Sequence, residues 1–217
     1  MSSIREILDK IRSAPSKEYE KVIDEVLQEI LRDEFGEVLK KEDFGAIVEL
    51  IIEIPEDKFG DFVSKFKDIL NTKFSEAKPS DIGRLYEGIT KQKRKIISIN
   101  FRPTIVKRLA SFSLKDIIRM LYNVVPATRE TVLSQYKEIM MRPDFAKVIL
   151  ETPLEILAEF LSLSPSSIRT SFVKRHTNVF TSPEFIDKLK RASADNRAMF
   201  LRWLPENLSR QIMQKLS

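Results

Sequence analysis

The 217-residue sequence contains no cysteine and a single histidine, His176. Without cysteine the chain has no disulfide, no thiolate metal site and no cysteine nucleophile. One histidine cannot complete a transition-metal site of histidine and cysteine ligands, and nothing in the sequence places a base beside a serine nucleophile. We therefore expect a structural role for His176, no cofactor and no enzymatic activity.

Glycine is also scarce, with five residues in all and none after Gly88, and none of them forms a phosphate-binding loop motif. Long apolar runs are missing as well. The most apolar stretch, AIVELIIEI at 46–54, is interrupted by Glu49 and Glu53 and is too short and too polar to span a bilayer. The first residues carry acid and lack the apolar core of a signal peptide, so we predict a cytoplasmic protein. The lack of cysteine and the small share of asparagine and glutamine favour a heat-loving source.

Three proline-containing phrases recur at a spacing of forty residues: RPTI at 102–105, RPDF at 142–145 and SPEF at 182–185. When these segments are aligned without gaps, nine of the 36 shared positions are apolar in all three, as in the column of Ile105, Phe145 and Phe185. Chance at this composition gives roughly three such columns. The recurrence therefore predicts a structural repeat.

The pattern extends upstream, so that its first apolar anchors fall at residues 7, 47, 105, 145 and 185. These anchors predict one helical-repeat domain, 1–217, of five units: 1–40, 41–101, 102–141, 142–181 and 182–217. The second unit is longer than the others by about eighteen residues, which fall within 71–101. Extra residues in a repeat array often emerge on its binding face, although a lengthened loop is the alternative.

Residues 142–181 indicate what one unit contains. Pro143, Pro153 and Pro165 each precede apolar residues with helical spacing, which is typical of helix starts. Three short helices in forty residues favour an α-solenoid, in which units bury their apolar faces by stacking on neighbours. We therefore predict an all-α fold, an α-solenoid of about five three-helix repeats. One segment, KIISINF at 95–101, fits either a strand or a helix.

The segment RAMFLRWLPENLSRQIMQKL at 197–216 has a leucine-rich helix that ends at leucine-proline and is followed by a short helix. The segment AEFLSLSPSSIRTSFV at 158–173 is similar. These segments resemble the helical repeats in the N-terminal domain of the magnesium transporter MgtE and in the flagellar motor switch protein FliG. Three helices in about forty residues also resemble armadillo repeats. The resemblance covers the last two or three units, and it implies a superhelical stack but no family function.

Charge is divided unevenly along the chain. Residues 1–90 hold 14 basic and 21 acidic side chains, a net charge of −7, whereas residues 91–217 hold 23 basic and 11 acidic side chains, a net charge of +12. This division favours an oriented interaction surface. The basic candidates for binding a partner are Lys91, Lys93, Arg94, Lys95, Arg129, Arg169, Lys174 and Arg175.

Two further features each have two interpretations. Trp203, the only tryptophan, could anchor a partner or cover the end of the stack. Glu151, Glu155 and Glu159 are four residues apart on one predicted helical face, where they could hold a divalent cation or form a solvated edge.

The sequence favours a non-enzymatic scaffold that binds an acidic protein or protein complex through its basic surface from Lys91 onward. The alternative is a nucleic-acid or ribonucleoprotein binder that uses the same residues on phosphates. A carboxylate–metal hydrolase depends on the glutamate row alone. The sequence leaves the oligomeric state open.

Overall fold

The computed structural model describes residues 2–216, and 80% of the chain is helical. Over this range the chain forms seventeen helices and no strand. The first eight are α1 (Ile4–Arg12), α2 (Tyr19–Ile30), α3 (Phe35–Lys41), α4 (Phe44–Glu53), α5 (Glu56–Lys65), α6 (Lys67–Glu76), α7 (Pro79–Gly88) and α8 (Lys91–Ala110). The others are α9 (Leu114–Tyr122), α10 (Pro126–Met140), α11 (Phe145–Glu151), α12 (Leu154–Leu163), α13 (Ser166–Arg175), α14 (Thr177–Phe180), α15 (Pro183–Arg191), α16 (Ala194–Leu201) and α17 (Glu206–Leu216). The predicted all-α fold is therefore confirmed.

Within residues 2–216, no helix is both long enough and apolar enough to cross a membrane.

Several helices begin at a polar capping residue or at a proline. Ser3 accepts a hydrogen bond from the backbone of Glu6, whose carboxylate accepts one from the Ser3 backbone, and Ser113 and Asp116 repeat this arrangement. Such a capping box satisfies backbone N–H groups that the first helical turn leaves unpaired. Proline precedes or opens other helices, as Pro165 does before α13. Its fixed φ suits the first turn, where its missing N–H costs no hydrogen bond.

Pro103 is an exception, because α8 runs through it. Ile97, Phe101, Ile105 and Leu109 are all buried, and their spacing of four residues continues one apolar face across the proline. Burial of that face outweighs the intrahelical hydrogen bond that Pro103 cannot donate to the carbonyl of Ile99. The segment 95–101, which the sequence left undecided, is helical for the same reason.

The extra residues predicted within 71–101 are helical rather than a lengthened loop. They form the end of α6, all of α7 and the first half of α8. α7 packs against α4, as α1 does. These residues therefore contribute to a packed layer.

Six helices start at intervals close to the predicted spacing. α1, α4, α7, α9, α12 and α16 begin at residues 4, 44, 79, 114, 154 and 194. The chain forms two compact units, Met1–Arg108 and Leu109–Ser217, and three of these helices belong to each. In the first unit α4 packs on α1 and α7, and in the second unit α12 packs on α9 and α16. The division into five repeat units stays a prediction.

The core of the second unit is a connected set of aromatic rings. Phe172 lies 5.5 Å from Phe160, 5.9 Å from Phe145 and 6.2 Å from Phe180, measured between ring centroids. Phe185 and Phe200 extend the cluster from Phe180. All these phenylalanines are buried. Successive helices are therefore joined by edge-on ring contacts, which are favourable beyond the area they bury.

Candidate interaction site

The ends of the helices explain where many of the basic residues lie. Over residues 2–216 no residue has a positive φ, so no helix ends in the left-handed conformation that commonly satisfies the last carbonyls. Basic side chains from later in the chain serve those carbonyls instead. The ammonium group of Lys73 donates to the carbonyls of Lys40 and Glu42, at 2.8 and 2.5 Å, at the end of α3.

Lys93 is one of these capping residues. Its side chain is buried, and its ammonium donates to the carbonyls of Ile51 and Ile52, both at 2.9 Å, at the end of α4. The same group lies 5.5 Å from the ring centroid of Phe59. Burial lowers the pKa of Lys93, and the nearby carboxylates of Glu56 and Glu53 act in the opposite direction. The ammonium group of Lys93 therefore binds carbonyls within the fold instead of facing solvent.

Lys188, which the sequence did not single out, has the same function at the end of α11. Its ammonium donates to the carbonyls of Ile149 and Leu150, at 3.0 and 2.8 Å, and to that of Thr152. Desolvation lowers the pKa of Lys188, and Glu155 partly offsets the shift. The scarcity of glycine near helix ends is the signal in the sequence that could have indicated such lysines.

Arg94, Arg129 and Arg169 occupy equivalent positions in the first turns of α8, α10 and α13. Each donates one N–H to a carbonyl of the helix or turn just before, at Tyr86 (3.0 Å), Val124 (3.2 Å) and Leu161 (3.2 Å). The three side chains are half-buried. Since a guanidinium has five N–H donors, one such bond fixes its position and leaves others to face a partner.

The second unit has a groove of about 670 Å³ between α12 and the end of α16. Its lining includes Ala158, Ala198 and Trp203, together with the acidic side chains of Glu155 and Glu159. The remaining lining residues are Ser162, Met199 and Arg202. The groove is thus lined by small apolar residues together with charged side chains.

Trp203, in the turn after α16, lies close to two arginines. The guanidinium carbon of Arg169 is 4.9 Å from the Trp203 ring centroid, and that of Arg202 is 5.7 Å away. A cation at this distance is attracted to the face of an indole ring. Trp203 is half-exposed and Arg202 is exposed, so both reach the surface.

Tyr122 continues this surface onto α9. Its hydroxyl donates to the carboxylate of Glu159, and this bond raises the pKa of Tyr122 while the charge of Arg129 acts against the shift. The tyrosine ring is 62% exposed. We call this surface the arginine edge; it consists of Tyr122, Arg129, Glu159, Arg169, Arg202 and Trp203.

Lys174 and Arg175 lie away from the arginine edge, at the other end of α13 from Arg169. Both are exposed, and Arg175 donates to the carbonyl of Met141 at 2.9 Å. Lys215 makes the matching contact forty residues later, with the carbonyl of Thr181 at 2.8 Å. Arg175 therefore donates to the carbonyl of a helix end while its side chain remains exposed to solvent.

In the first unit, Lys91 and Lys95 lie on a separate surface. Together with Gln92, Ile96 and Ile99 they form what we call the α8 face, around a groove of about 850 Å³ that Glu56 and Thr90 complete. Lys91 and Lys95 are exposed, and Ile99 is 71% exposed. The structure thus separates the four basic residues of 91–95: Lys93 is inside, Arg94 is half-buried, and the other two lie on the surface.

His176 is buried, and its Nε2 lies 2.6 Å from the carbonyl oxygen of Met140. Burial lowers its pKa, and the charge of Arg175 acts in the same direction. Its ring is 5.0 Å from that of Phe172, which places His176 in the aromatic core.

The row of Glu151, Glu155 and Glu159 does not converge on one point. Glu151 pairs with Lys147 at 3.7 Å, and Glu159 accepts the hydrogen bond from Tyr122. In the described part of the chain, no group of three histidine, cysteine or acidic residues is arranged to hold a metal ion.

Comparisons of this chain with protein-family models, with curated proteins and with solved structures found no match.

Proposed function

We propose that this protein is a non-enzymatic helical-repeat scaffold that binds an acidic protein or protein complex through its basic surface from Lys91 onward. In this proposal each compact unit contains three repeats, which begin at α1, α4 and α7 and at α9, α12 and α16. Packing between those helices within each unit supports the repeat, as does the matched pair of capping contacts made by Arg175 and Lys215. The repeat supplies an extended surface with no need for reactive groups.

The observation that carries this proposal is that Trp203 lies close to both Arg169 and Arg202 and also lines an open groove. Tryptophan, tyrosine and arginine dominate the energy of protein interfaces, because they combine large area with few degrees of freedom to restrain. The arginine edge brings all three residue types together. Carboxylates of an acidic partner would meet guanidinium groups already held in position by capping bonds.

The arginines also suit a nucleic acid, because a phosphate accepts the same N–H groups. The neighbourhood of Glu155 and Glu159 disfavours this alternative, since a phosphate backbone in the groove would lie beside two carboxylates. A protein segment can instead direct a basic side chain toward these glutamates. We therefore favour a protein partner over a nucleic acid.

Fluorescence anisotropy with two probes of equal length separates the two partner classes. One probe is a peptide of alternating glutamate and leucine clusters, and the other is single-stranded RNA. At about 50 mM salt we expect the peptide to bind, and the Trp203→Ala and Arg202→Glu variants to weaken its binding by about tenfold or more. Arg191→Glu is the matched control, because Arg191 is exposed in the same unit and carries the same charge.

Tighter binding of RNA, with affinity that falls steeply as salt rises, would establish the nucleic-acid alternative. If neither probe binds at low salt, or if Arg191→Glu weakens peptide binding as much as Arg202→Glu, the arginine edge is not a specific site.

A further inference from the structure

Helix α8 has seven basic residues and no acidic residue along its twenty positions. Three of the seven donate to backbone carbonyls of earlier helices: Lys93 and Arg94, as described above, and Arg108, whose Nε donates to the carbonyl of Ala77 at 2.8 Å. The four that are exposed are Lys91, Lys95, Arg102 and Lys107. The structure thus divides the charge of α8 into a set that binds carbonyls and a set on the surface.

The exposed basic residues share one face of α8 with an exposed apolar side chain. At about 100° per residue, all four lie within half of the helix circumference, and Ile99, which is 71% exposed, lies between them. Lys91, Lys95 and Ile99 follow one another at intervals of four residues, so they form a row with a spacing of about 6 Å. Ile96 lines the same groove beside this row. The α8 face therefore has an apolar centre with basic side chains around it.

No unpaired acidic side chain among the described residues lines the groove of the α8 face. Its one acidic lining residue, Glu56, accepts a hydrogen bond from Thr90. Asp57, which follows it on α5, pairs with Lys58 at 3.6 Å. A ligand with carboxylates around an apolar side chain therefore complements this face in both charge and polarity. A phosphate backbone would meet the same lysines but would gain nothing from contact with Ile99.

We propose that the α8 face binds an acidic amphipathic helix of a partner protein. An apolar side chain of that helix would cover Ile96 and Ile99, and its carboxylates would meet Lys91 and Lys95. Residues four apart on the partner helix are also about 6 Å apart, so its carboxylates match the spacing of the two lysines. The inference rests on the proposed function, because it names the segment of an acidic partner that meets the first basic residues of that surface. It concerns a different contact from the arginine edge.

The apolar centre gives this contact its selectivity. Each exposed ion pair contributes little and is screened by salt, so charge alone would accept any acidic segment. Burial of a leucine against Ile96 and Ile99 is favourable only when the leucine lies in the same row as the carboxylates. The position of that leucine should therefore matter even when the net charge of the ligand is unchanged.

Fluorescence anisotropy with two labelled helical peptides of about 20 residues and identical composition tests this contact. In the first peptide, the residues of one row, four apart, are glutamate, glutamate, leucine, glutamate and glutamate. In the second, the leucine is exchanged with an alanine on the opposite side of the helix. In a Trp203→Ala chain, whose arginine edge lacks its anchor, we expect the first peptide to bind at about 50 mM salt and the second to bind at least about fivefold more weakly.

Substitutions on the α8 face should abolish this binding. In the same Trp203→Ala background, Ile99→Asp and Lys95→Glu should each weaken binding of the first peptide by about tenfold or more. Ser64→Asp and Lys67→Glu are matched controls, because both positions are exposed in the same unit and receive the same new residues. They should change the affinity by less than about twofold. Circular dichroism checks that each variant keeps its helices.

The inference is overturned if the two peptides bind equally, if Ile99→Asp leaves binding unchanged, or if the control substitutions weaken binding as much. Tighter binding of a single-stranded RNA of equal length would also overturn it, in favour of a phosphate ligand. Peptide binding that depends on Trp203 but not on Ile99 would remove this inference and leave the proposed function standing. Binding that depends on Ile99 in a chain whose arginine edge fails its own test would leave the α8 contact standing alone.

Discussion

Lys93 supplies to the end of α4 the hydrogen-bond donors that a C-terminal glycine turn supplies in other helices. The sequence placed it with Lys91, Arg94 and Lys95 as one basic cluster, but the structure gives these residues three different environments. Adjacent positions on a helix point about 100° apart, so a run of four charges cannot share one surface. The function of each basic side chain must therefore be inferred from its own contacts.

Replacement of Lys93 by methionine tests its capping function. Methionine keeps most of the side-chain volume but leaves the carbonyls of Ile51 and Ile52 without the ammonium donor. We expect the free energy of unfolding to fall by about 1–3 kcal/mol in urea denaturation. Lys91→Met, two residues earlier and exposed, should change it by less than about 0.5 kcal/mol. Equal effects of the two substitutions would contradict the assignment.

His176 makes stability depend on pH near neutrality. Its pKa is lowered in the folded chain, so the unfolded chain binds a proton more readily once pH falls below about 6.5. Stability should therefore be constant above that pH and decrease as pH falls from about 6.5 toward the folded pKa. Asp81, whose pKa burial raises, contributes in the opposite direction at lower pH.

Urea midpoints between pH 7.5 and pH 5.5 measure this effect, and His176→Gln should remove it because the chain has no other histidine. The amide of the introduced glutamine would also keep a donor for the Met140 carbonyl. A pH dependence that persists unchanged in this variant would show that His176 is not its source.

At the scale of the helix, prolines in similar sequence contexts have different consequences. Pro183 opens α15, where no backbone hydrogen bond is lost, whereas Pro103 lies inside α8 and leaves the Ile99 carbonyl without its helical donor. The two prolines share a column in the sequence repeat. Both align with Pro143, where the sequence predicted a helix start, but the buried face from Ile97 to Leu109 continues the helix through Pro103.

Pro103→Ala should stabilise the chain by about 1–3 kcal/mol, because alanine restores the donor and favours the helix, while greater freedom of the unfolded chain offsets part of the gain. Pro183→Ala should instead be neutral or destabilising, by at most about 1 kcal/mol. Thermal unfolding followed by circular dichroism compares the two. Destabilisation by Pro103→Ala would argue against a continuous α8.

At the scale of the whole molecule, each compact unit buries its own set of apolar helix faces. In the second unit the aromatic cluster joins helices from α10 to α16, so its rings support one another across successive helices. The charge division of −7 and +12 places acidic and basic surfaces on the same chain. The basic share of this charge is the property on which the proposed binding of an acidic partner depends.

Phe160→Ala tests the aromatic cluster. Phe160 is fully buried, so the substitution should lower the free energy of unfolding by about 3–5 kcal/mol through lost burial and the cavity left behind. Met199→Ala, on the neighbouring helix and exposed, should cost less than about 1 kcal/mol. A small effect at Phe160 would place it outside the core.

Much of the fold could be predicted because proline, polar caps and apolar spacing act within a few residues of one another. Pro143, Pro153 and Pro165 indicated three helix starts within one or two residues of those observed. The short α14 could not be predicted, because a shift of register by one helix leaves the apolar spacing almost unchanged.

The sequence by itself determined that this protein is helical, where the helices after Pro143, Pro153 and Pro165 begin, and that its charge is divided along the chain. Only the tertiary structure decided which cations face solvent, because Lys93, Lys188 and Arg175 donate to carbonyls that lie more than thirty residues earlier. It also brought Arg169 and Arg202 close to the ring of Trp203. Helix starts depend on residues that are neighbours in sequence, so the sequence can predict them. Whether a basic side chain faces solvent depends instead on whether it donates to the unpaired carbonyls of a helix end that is distant in sequence.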